Sequence, residues 1–203
     1  MFTGIVADIA TVVGVEPLPE HSIRLSIDTA LAGGLQLGGS IAINGVCLTA
    51  ESIAGSLVSM VAMRETMTRT SLGSCGSGTR VNAELPLTLT QPLGGHLVSG
   101  HVDSLGTLIS REHTSVWDVL TIEAPASMAN YLVPKGSIAI DGVSLTVVDV
   151  IDRSDGSVQF TVSLIPATLE HTTLGATAEG SSVNLEADMV AKYIERITRG
   201  GRT

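Results

Sequence analysis

The stretch SIAINGVCLTA, residues 40–50, returns as SIAIDGVSLTV at residues 137–147, with Asn44 exchanged for Asp141, Cys47 for Ser144 and Ala50 for Val147. In each copy two apolar, β-branched runs flank Asn-Gly or Asp-Gly, the dipeptides that type I′ turns require because both central residues need positive φ. Each copy therefore reads as a β-hairpin. The repetition continues on both sides: FTGIV (2–6) is answered by VSGHV (98–102), ETMTRTSLG (65–73) by ATLEHTTLG (167–175), and RVNAE (80–84) by SVNLE (182–186). The offset is 96 or 97 residues early and 102 late, which places about five extra residues of the second copy in IDRSDGSVQF (151–160).

One half of the chain is thus a module written twice. In the first copy short apolar runs at 5–15, 23–27, 40–43, 48–53, 57–63 and 81–84 are separated by turn signals, with one helical turn at 65–69. Six short strands suit a closed Greek-key barrel better than a flat sandwich. The expected fold is all-β: two tandem six-stranded Greek-key barrels at 1–96 and 97–187, divided near the Pro- and Gly-rich QPLGGH, followed by a C-terminal helix at 188–203. In that tail Met189, Val190, Tyr193, Ile194 and Ile197 recur at helical spacing opposite Lys192, Glu195 and Arg196, and the pattern stops at Gly200. The first copy has no such helix, and a lone amphipathic helix finds its natural cover on another subunit.

Composition narrows the classes further. Of the 203 residues 44% are hydrophobic and 15% charged, which suits a globular chain. The net charge of −9, without a basic run, argues against nucleic acid as a partner. No apolar stretch is long enough for a membrane span, and MFTGIVADIA lacks the positive flank of a signal peptide, so a cytoplasmic location is expected. Cys47 and Cys75 have no metal-site or disulfide spacing and read as free thiols.

The candidates for chemistry cluster on the repeat. Cys47 and Ser144 hold one position in the two hairpins, each followed by Leu and Thr, and residues two apart on a strand share a face. Cys47 with Thr49, and Ser144 with Thr146, would line twin pockets if that face is the barrel mouth. A lone cysteine is also commonly a small buried hydrophobe, and threonine a good strand former. The junction LGGHLVSGHVD places His96 and His101 together, as site residues or as groups satisfying a linker backbone. Asp188 reads as a helix cap and Lys135 as a solvated charge on position alone.

MFTGIV, NGVCLT, LGGHLVSGHVD, KGSIAIDGVSLTV, LIPATLEHTTLG and VNLEAD occur in one order along nearly the whole chain, and together they resemble the riboflavin synthase family of tandem lumazine-binding barrels. The resemblance implies a homotrimer held by C-terminal helices and one 6,7-dimethyl-8-ribityllumazine per barrel, with unlike barrels of neighbouring subunits facing each other. It also implies a cofactor-free dismutation in which two lumazines exchange a four-carbon unit, yielding riboflavin and 5-amino-6-ribitylaminouracil. Lumazine synthase is a candidate partner.

By position, the family's N-barrel pocket would take Gly4, Ile5 and Val6, Cys47, Leu48 and Thr49, and Val61, Ala62, Met63, Arg64, Glu65 and Thr66. Its C-barrel pocket would take Gly100, His101 and Val102, Ser144, Leu145 and Thr146, and Ser163, Leu164, Ile165, Pro166, Ala167 and Thr168, with Lys135 reaching over from a neighbour. Phe2, Ser40, Cys47, His101, Ser144 and Asp188 match positions the family associates with turnover. His101 or Ser144 would serve proton transfer, and Cys47 or Ser40 nucleophile addition. Ala7-Asp8, Ala50 and VNAELPL depart from the family pattern at strand ends and the linker. The rival from the same lineage is a non-catalytic lumazine or flavin antenna, in which one barrel loses its reactive side chains.

Overall fold

The computed structural model describes residues 1–200. Strands β1 (Asp8–Pro17), β2 (Ile23–Asp28), β3 (Ser40–Ile43), β4 (Val46–Ala54), β5 (Leu57–Ala62) and β6 (Arg80–Glu84) close an antiparallel barrel in the order β1-β2-β5-β4-β3-β6. Helix α1 (Arg64–Arg69) lies between β5 and β6. The second copy repeats this with β7 (Ser104–His113), β8 (Asp118–Ala124), β9 (Ser137–Ile140), β10 (Val143–Asp152), β11 (Val158–Leu164), α2 (Pro166–His171) and β12 (Ser182–Ala187), closed in the equivalent order. Helix α3 (Met189–Gly200) follows β12, and residues 201–203 of the expected tail lie outside the described residues. No helix among the described residues is long and apolar enough to cross a membrane.

The repeated hairpins form as their turn chemistry dictates. Asn44 and Gly45 have φ of 45° and 75°, Asp141 and Gly142 φ of 45° and 78°, and each pair joins a register of Ile43 with Val46 or Ile140 with Val143. Register shifts recur at matching places, Val12/Gly14 and Ala50/Ser52 in one barrel, Leu108/Ser110 and Val147/Asp149 in the other. Such bulges bend and twist long strands, which is what closing a small barrel needs. Ile53 pairs with Val58 and Val150 with Phe160, so four residues separate the first pair and nine the second. The five-residue insertion therefore sits at the β10–β11 tip.

Alternate residues of each strand fill two separate interiors, one built around Leu25, Ile27, Ile41 and Met60, the other around Leu120, Ile122, Phe160 and Val162. A third, smaller cluster joins the barrels: Phe2, Ala42, Val98 and Ala139, with Cys47 packed against it. Around it runs a two-fold network of backbone and amide hydrogen bonds. Asn82 Nδ2 donates to the carbonyl of Asp141 (2.9 Å) and Asn184 Nδ2 to that of Asn44 (2.8 Å). Asn44 Oδ1 accepts from Asn82 N–H (2.7 Å), and Asp141 Oδ1 from Asn184 N–H (2.8 Å). The hairpin tips touch at Gly45 and Gly142, where a Cβ on either would come within 2.7 Å of the other's backbone nitrogen.

The lead-in segments cross this interface. Phe2 and Val98 form an antiparallel bridge, with Phe2 N–H donating to Val98 O (2.7 Å) and Val98 N–H to Phe2 O (3.1 Å). From there residues 2–6 run to the second barrel and residues 98–102 to the first. Val6 packs on the second interior, Val102 on the first.

Candidate functional site

In β4 the side chains of Val46, Leu48 and Ala50 enter the barrel core, so Cys47 and Thr49 face outward from the barrel wall. Ser40 pairs with Thr49 and Ala42 with Cys47, which puts Ser40 on the same outer face. β9 and β10 repeat the arrangement with Ser137, Ser144 and Thr146. The condition set for this face, that it be the barrel mouth, is not met: core side chains fill the interiors, and the candidate sites lie on the outer wall.

The grouping of segments is also corrected. Cys47 N–H donates to the carbonyl of Gly100 (2.8 Å), and Ser144 N–H to that of Gly4 (2.7 Å). A Cβ on Gly100 would lie 2.6 Å from Cys47 Cβ, and one on Gly4 2.6 Å from Ser144 Cβ. Only glycine allows that approach, and both have positive φ, 73° at Gly4 and 83° at Gly100. Gly100, His101 and Val102 thus belong with Cys47 in the N-barrel site, and Gly4, Ile5 and Val6 with Ser144 in the C-barrel site. Each segment is steered by a buried carboxylate from the barrel of its own copy, across from the site it lines. Glu84 on β6 accepts from Thr3 N–H, Thr3 Oγ1 and Gly4 N–H at 2.7–3.0 Å. Glu186 on β12 does the same for Ser99 N–H, Ser99 Oγ and Gly100 N–H at 2.6–3.0 Å. Burial raises the Glu84 pKa against these lowering hydrogen bonds.

The N-barrel site is a cavity of about 360 Å³ lined by Cys47, Glu65, Thr66, Arg69, His101 and Val102 among others. The equivalent positions of the second barrel are Ser144, Ala167, Thr168, His171, Ile5 and Val6. The first site therefore carries the charged Glu65 and Arg69 where the second has Ala167 and His171, and the second has a hydrogen-bonded polar pair of its own. That pair is Ser144 Oγ and His96 Nδ1, 2.7 Å apart. His96 is buried, its Nε2 has no hydrogen-bond partner among the described residues, and burial lowers its pKa, opposed by the nearby Asp188 carboxylate. The imidazole is accordingly neutral near pH 7, with Nδ1 able to accept the Ser144 hydroxyl proton.

Sequence reasoning singled out His96 at the junction yet carried His101 into the site next to Ser144; the structure puts His96 there and His101 across from it, beside Cys47. Of the other expected residues, Phe2 is fully buried beneath Gly100, and the side chains of Leu48, Ala62 and Leu164 are core. Strand alternation turns Leu48, Ala62 and Leu164 into the barrel interiors and Phe2 fills the cluster between the barrels, so these four can meet a ligand at most through backbone. Leu145 also packs against its barrel core. Val61 is half-buried on the outward face of β5, and Ser163 exposed on that of β11. Met63 and Ile165 are exposed at the starts of α1 and α2, with Arg64 and Glu65, or Pro166 and Ala167, following. Asp188 caps α3 by accepting from Val190 N–H (2.9 Å) and borders a groove of about 660 Å³ with Ser137, Val190 and Ile194. Lys135 is exposed and holds φ of 69°, where the first barrel has Gly38 at 78°. Lys135 thus stands in a conformation that favours glycine.

With this geometry in place, comparison with known proteins gives one consistent result. The lumazine binding domain family matches twice, over residues 3–86 and 99–188. The chain is 48% identical to the riboflavin synthase of Mycobacterium tuberculosis over 204 aligned positions, 98% of each chain. It is 41% identical to that of Actinobacillus pleuropneumoniae and 36% to that of Bacillus subtilis, each over 97% of this chain and 89% of the relative. Among solved structures, LumP complexed with 6,7-dimethyl-8-(1'-D-ribityl) lumazine superposes with a TM-score of 0.81 at 21% identity, and LumP complexed with riboflavin at 0.82 and 22%, each over 92% of this chain and 99% of that one. The latter pair supports the fold. Two unlike sites on one hairpin plan, matched over nearly full length, place the chain in the riboflavin synthase family of tandem lumazine-binding barrels.

Proposed function

We propose that the chain converts two molecules of 6,7-dimethyl-8-ribityllumazine into riboflavin and 5-amino-6-ribitylaminouracil. The carrying observation is the pair of sites built on one plan but with different reactive groups, Cys47 with His101 against Ser144 with His96. A dismutation consumes one compound in two opposite roles. Duplicated pockets recognise the same ring, and their differences assign the roles. No redox partner is needed, since the carbons lost by one lumazine are gained by the other.

The Ser144–His96 pair supplies the proton transfers. The lumazine C7-methyl is acidic because its anion delocalises into the ring, so a serine backed by a neutral imidazole suffices. In the other barrel Cys47, with Ser40 and His101, assists nucleophile addition to the acceptor. Holding two rings in contact replaces a bimolecular encounter, a large share of the acceleration for a reaction between like molecules. Lys135 contributes from the neighbouring subunit, and Asp188 tunes His96 while capping α3.

Assembly follows from the same geometry. The two lead-in segments leave the Phe2–Val98 bridge in opposite directions, toward Ser144 and toward Cys47, which favours a meeting of sites between subunits over one within a chain. Val190, Tyr193, Ile194 and Ile197 leave an apolar stripe exposed on α3. A homotrimer covering that stripe, acting in the cytoplasm, completes the reading, with the two barrels divided at residue 96 and the tail starting at 188. Incubating the protein with the lumazine alone tests it: riboflavin and the aminouracil should appear in equal amounts, one of each per two lumazines consumed. Tight ligand binding without conversion would instead favour the antenna.

A further inference from the structure

The two lead-in segments are held differently at their far ends. In the second-barrel site the segment ends at Ala7, whose N–H donates to Ala83 O (3.0 Å) and whose side chain has no polar atom. The equivalent residue of the first-barrel site is Asp103. Its N–H donates to Leu185 O (2.9 Å), and its carboxylate adds two bonds, accepting from Ala187 N–H (2.8 Å) and pairing with Lys192 Nζ (2.7 Å) on α3. Asp103 also borders the Cys47 cavity. Residues 99–103, with His101 between the anchors, are therefore clamped by Glu186 at one end and by the tail helix at the other.

Both side chains of the pair are about three-quarters buried, with 26% exposure at Asp103 and 27% at Lys192. Partial burial and a charge-assisted bond to both Lys192 and a backbone N–H make this more than a solvated surface pair. Because α3 carries the exposed apolar stripe, whatever seats α3 also sets Asp103, and through it His101.

We infer that Lys192 is a positioning residue for the N-barrel site, relaying the seating of the tail helix through Asp103 to His101, with no counterpart at the C-barrel site. This rests on the lumazine and flavin reading of the Cys47 cavity. Cys47 itself reports occupancy: its alkylation by iodoacetamide in the intact protein, protected by riboflavin and read by peptide mass, follows this site alone. Burial and the Asp141 charge push the Cys75 thiol up to about 11, so it reacts slowly.

The riboflavin concentration for half-protection should rise about five- to tenfold in Lys192→Met, which keeps the aliphatic stem, and about as much in Asp103→Asn. Lys192→Arg should restore most of it, and sedimentation should show assembly unchanged in all three. An unchanged midpoint in Lys192→Met overturns the relay, as does a shift that appears only with loss of assembly. Failure of riboflavin to protect Cys47 in the unaltered protein would instead overturn the reading of the cavity.

Discussion

Asp141 breaks the two-fold symmetry of the buried inter-barrel network. Asn44 and Asp141 occupy equivalent turns and each accepts one backbone N–H, from Asn82 and Asn184. Asn44 is neutral, whereas Asp141 is a fully enclosed carboxyl whose pKa burial raises from 3.8 to about 7, opposed by the Asn184 hydrogen bond. Between those values the unfolded chain ionises while the folded chain keeps its proton. Stability is thus favoured below pH 3.8, declines as pH rises toward 7, and stays reduced above it. A difference of about 3 pH units at about 1.4 kcal/mol each corresponds to about 4 kcal/mol, an upper figure because relaxation and water entry blunt such costs.

Asp141→Asn removes the titration and restores the mirror image of Asn44. Urea unfolding at pH 5, 6, 7 and 8 measures it, and comparing variant with parent cancels Glu84 and His96, whose pKa values also shift. The variant's advantage over the parent should already be about 1–2 kcal/mol at pH 5 and grow by a further amount of about 2–3 kcal/mol by pH 8, with an unchanged m-value. Parallel stability curves for the two proteins across this range would refute the reasoning.

Phe2→Ala should lower stability by about 3–5 kcal/mol and uncouple the barrels, seen as loss of a single cooperative transition, because Phe2 fills the cluster between them. His96→Gln should slow flavin formation about 100-fold and abolish an acid-side decline in rate that, in the parent, falls below pH 6.5, where the burial-lowered imidazole takes up its proton. Full turnover in Ser144→Ala or in His96→Gln would remove the pair from the proton path. Lys135→Gly should leave stability unchanged or raise it by up to about 1 kcal/mol, since glycine accepts φ of 69° freely, while slowing turnover; an unaltered rate would argue against contact across subunits.

The legible part of the molecule was what local chemistry dictates. Asn44-Gly45 and Asp141-Gly142 announced their turns, the run at 40–43 matched β3, and the offset between copies located five residues at the β10–β11 tip. Strand alternation told that Cys47 and Thr49 oppose Leu48, but a period of two distinguishes faces without saying whether the polar one opens into the mouth or onto the outer wall. The exchange of lead-in segments left no local trace: residues 2–6 and 98–102 each precede the barrel of their own copy, and only the crossing at Phe2 and Val98 sends them to the other. Glu84 and Glu186, which steer them, read in sequence as ordinary strand residues. His96 and His101 stand in one junction motif, and their spacing on a loop does not say which imidazole meets Ser144.

The structure of the protein with riboflavin bound tests the central claim most directly. Two flavins per chain are predicted on the outer barrel walls, the one beside Cys47 bounded by Gly100, His101 and Val102, and the one beside Ser144 by Gly4, Ile5 and Val6. A flavin inside either barrel mouth, or one beside Cys47 bounded by Gly4 to Val6, would contradict it.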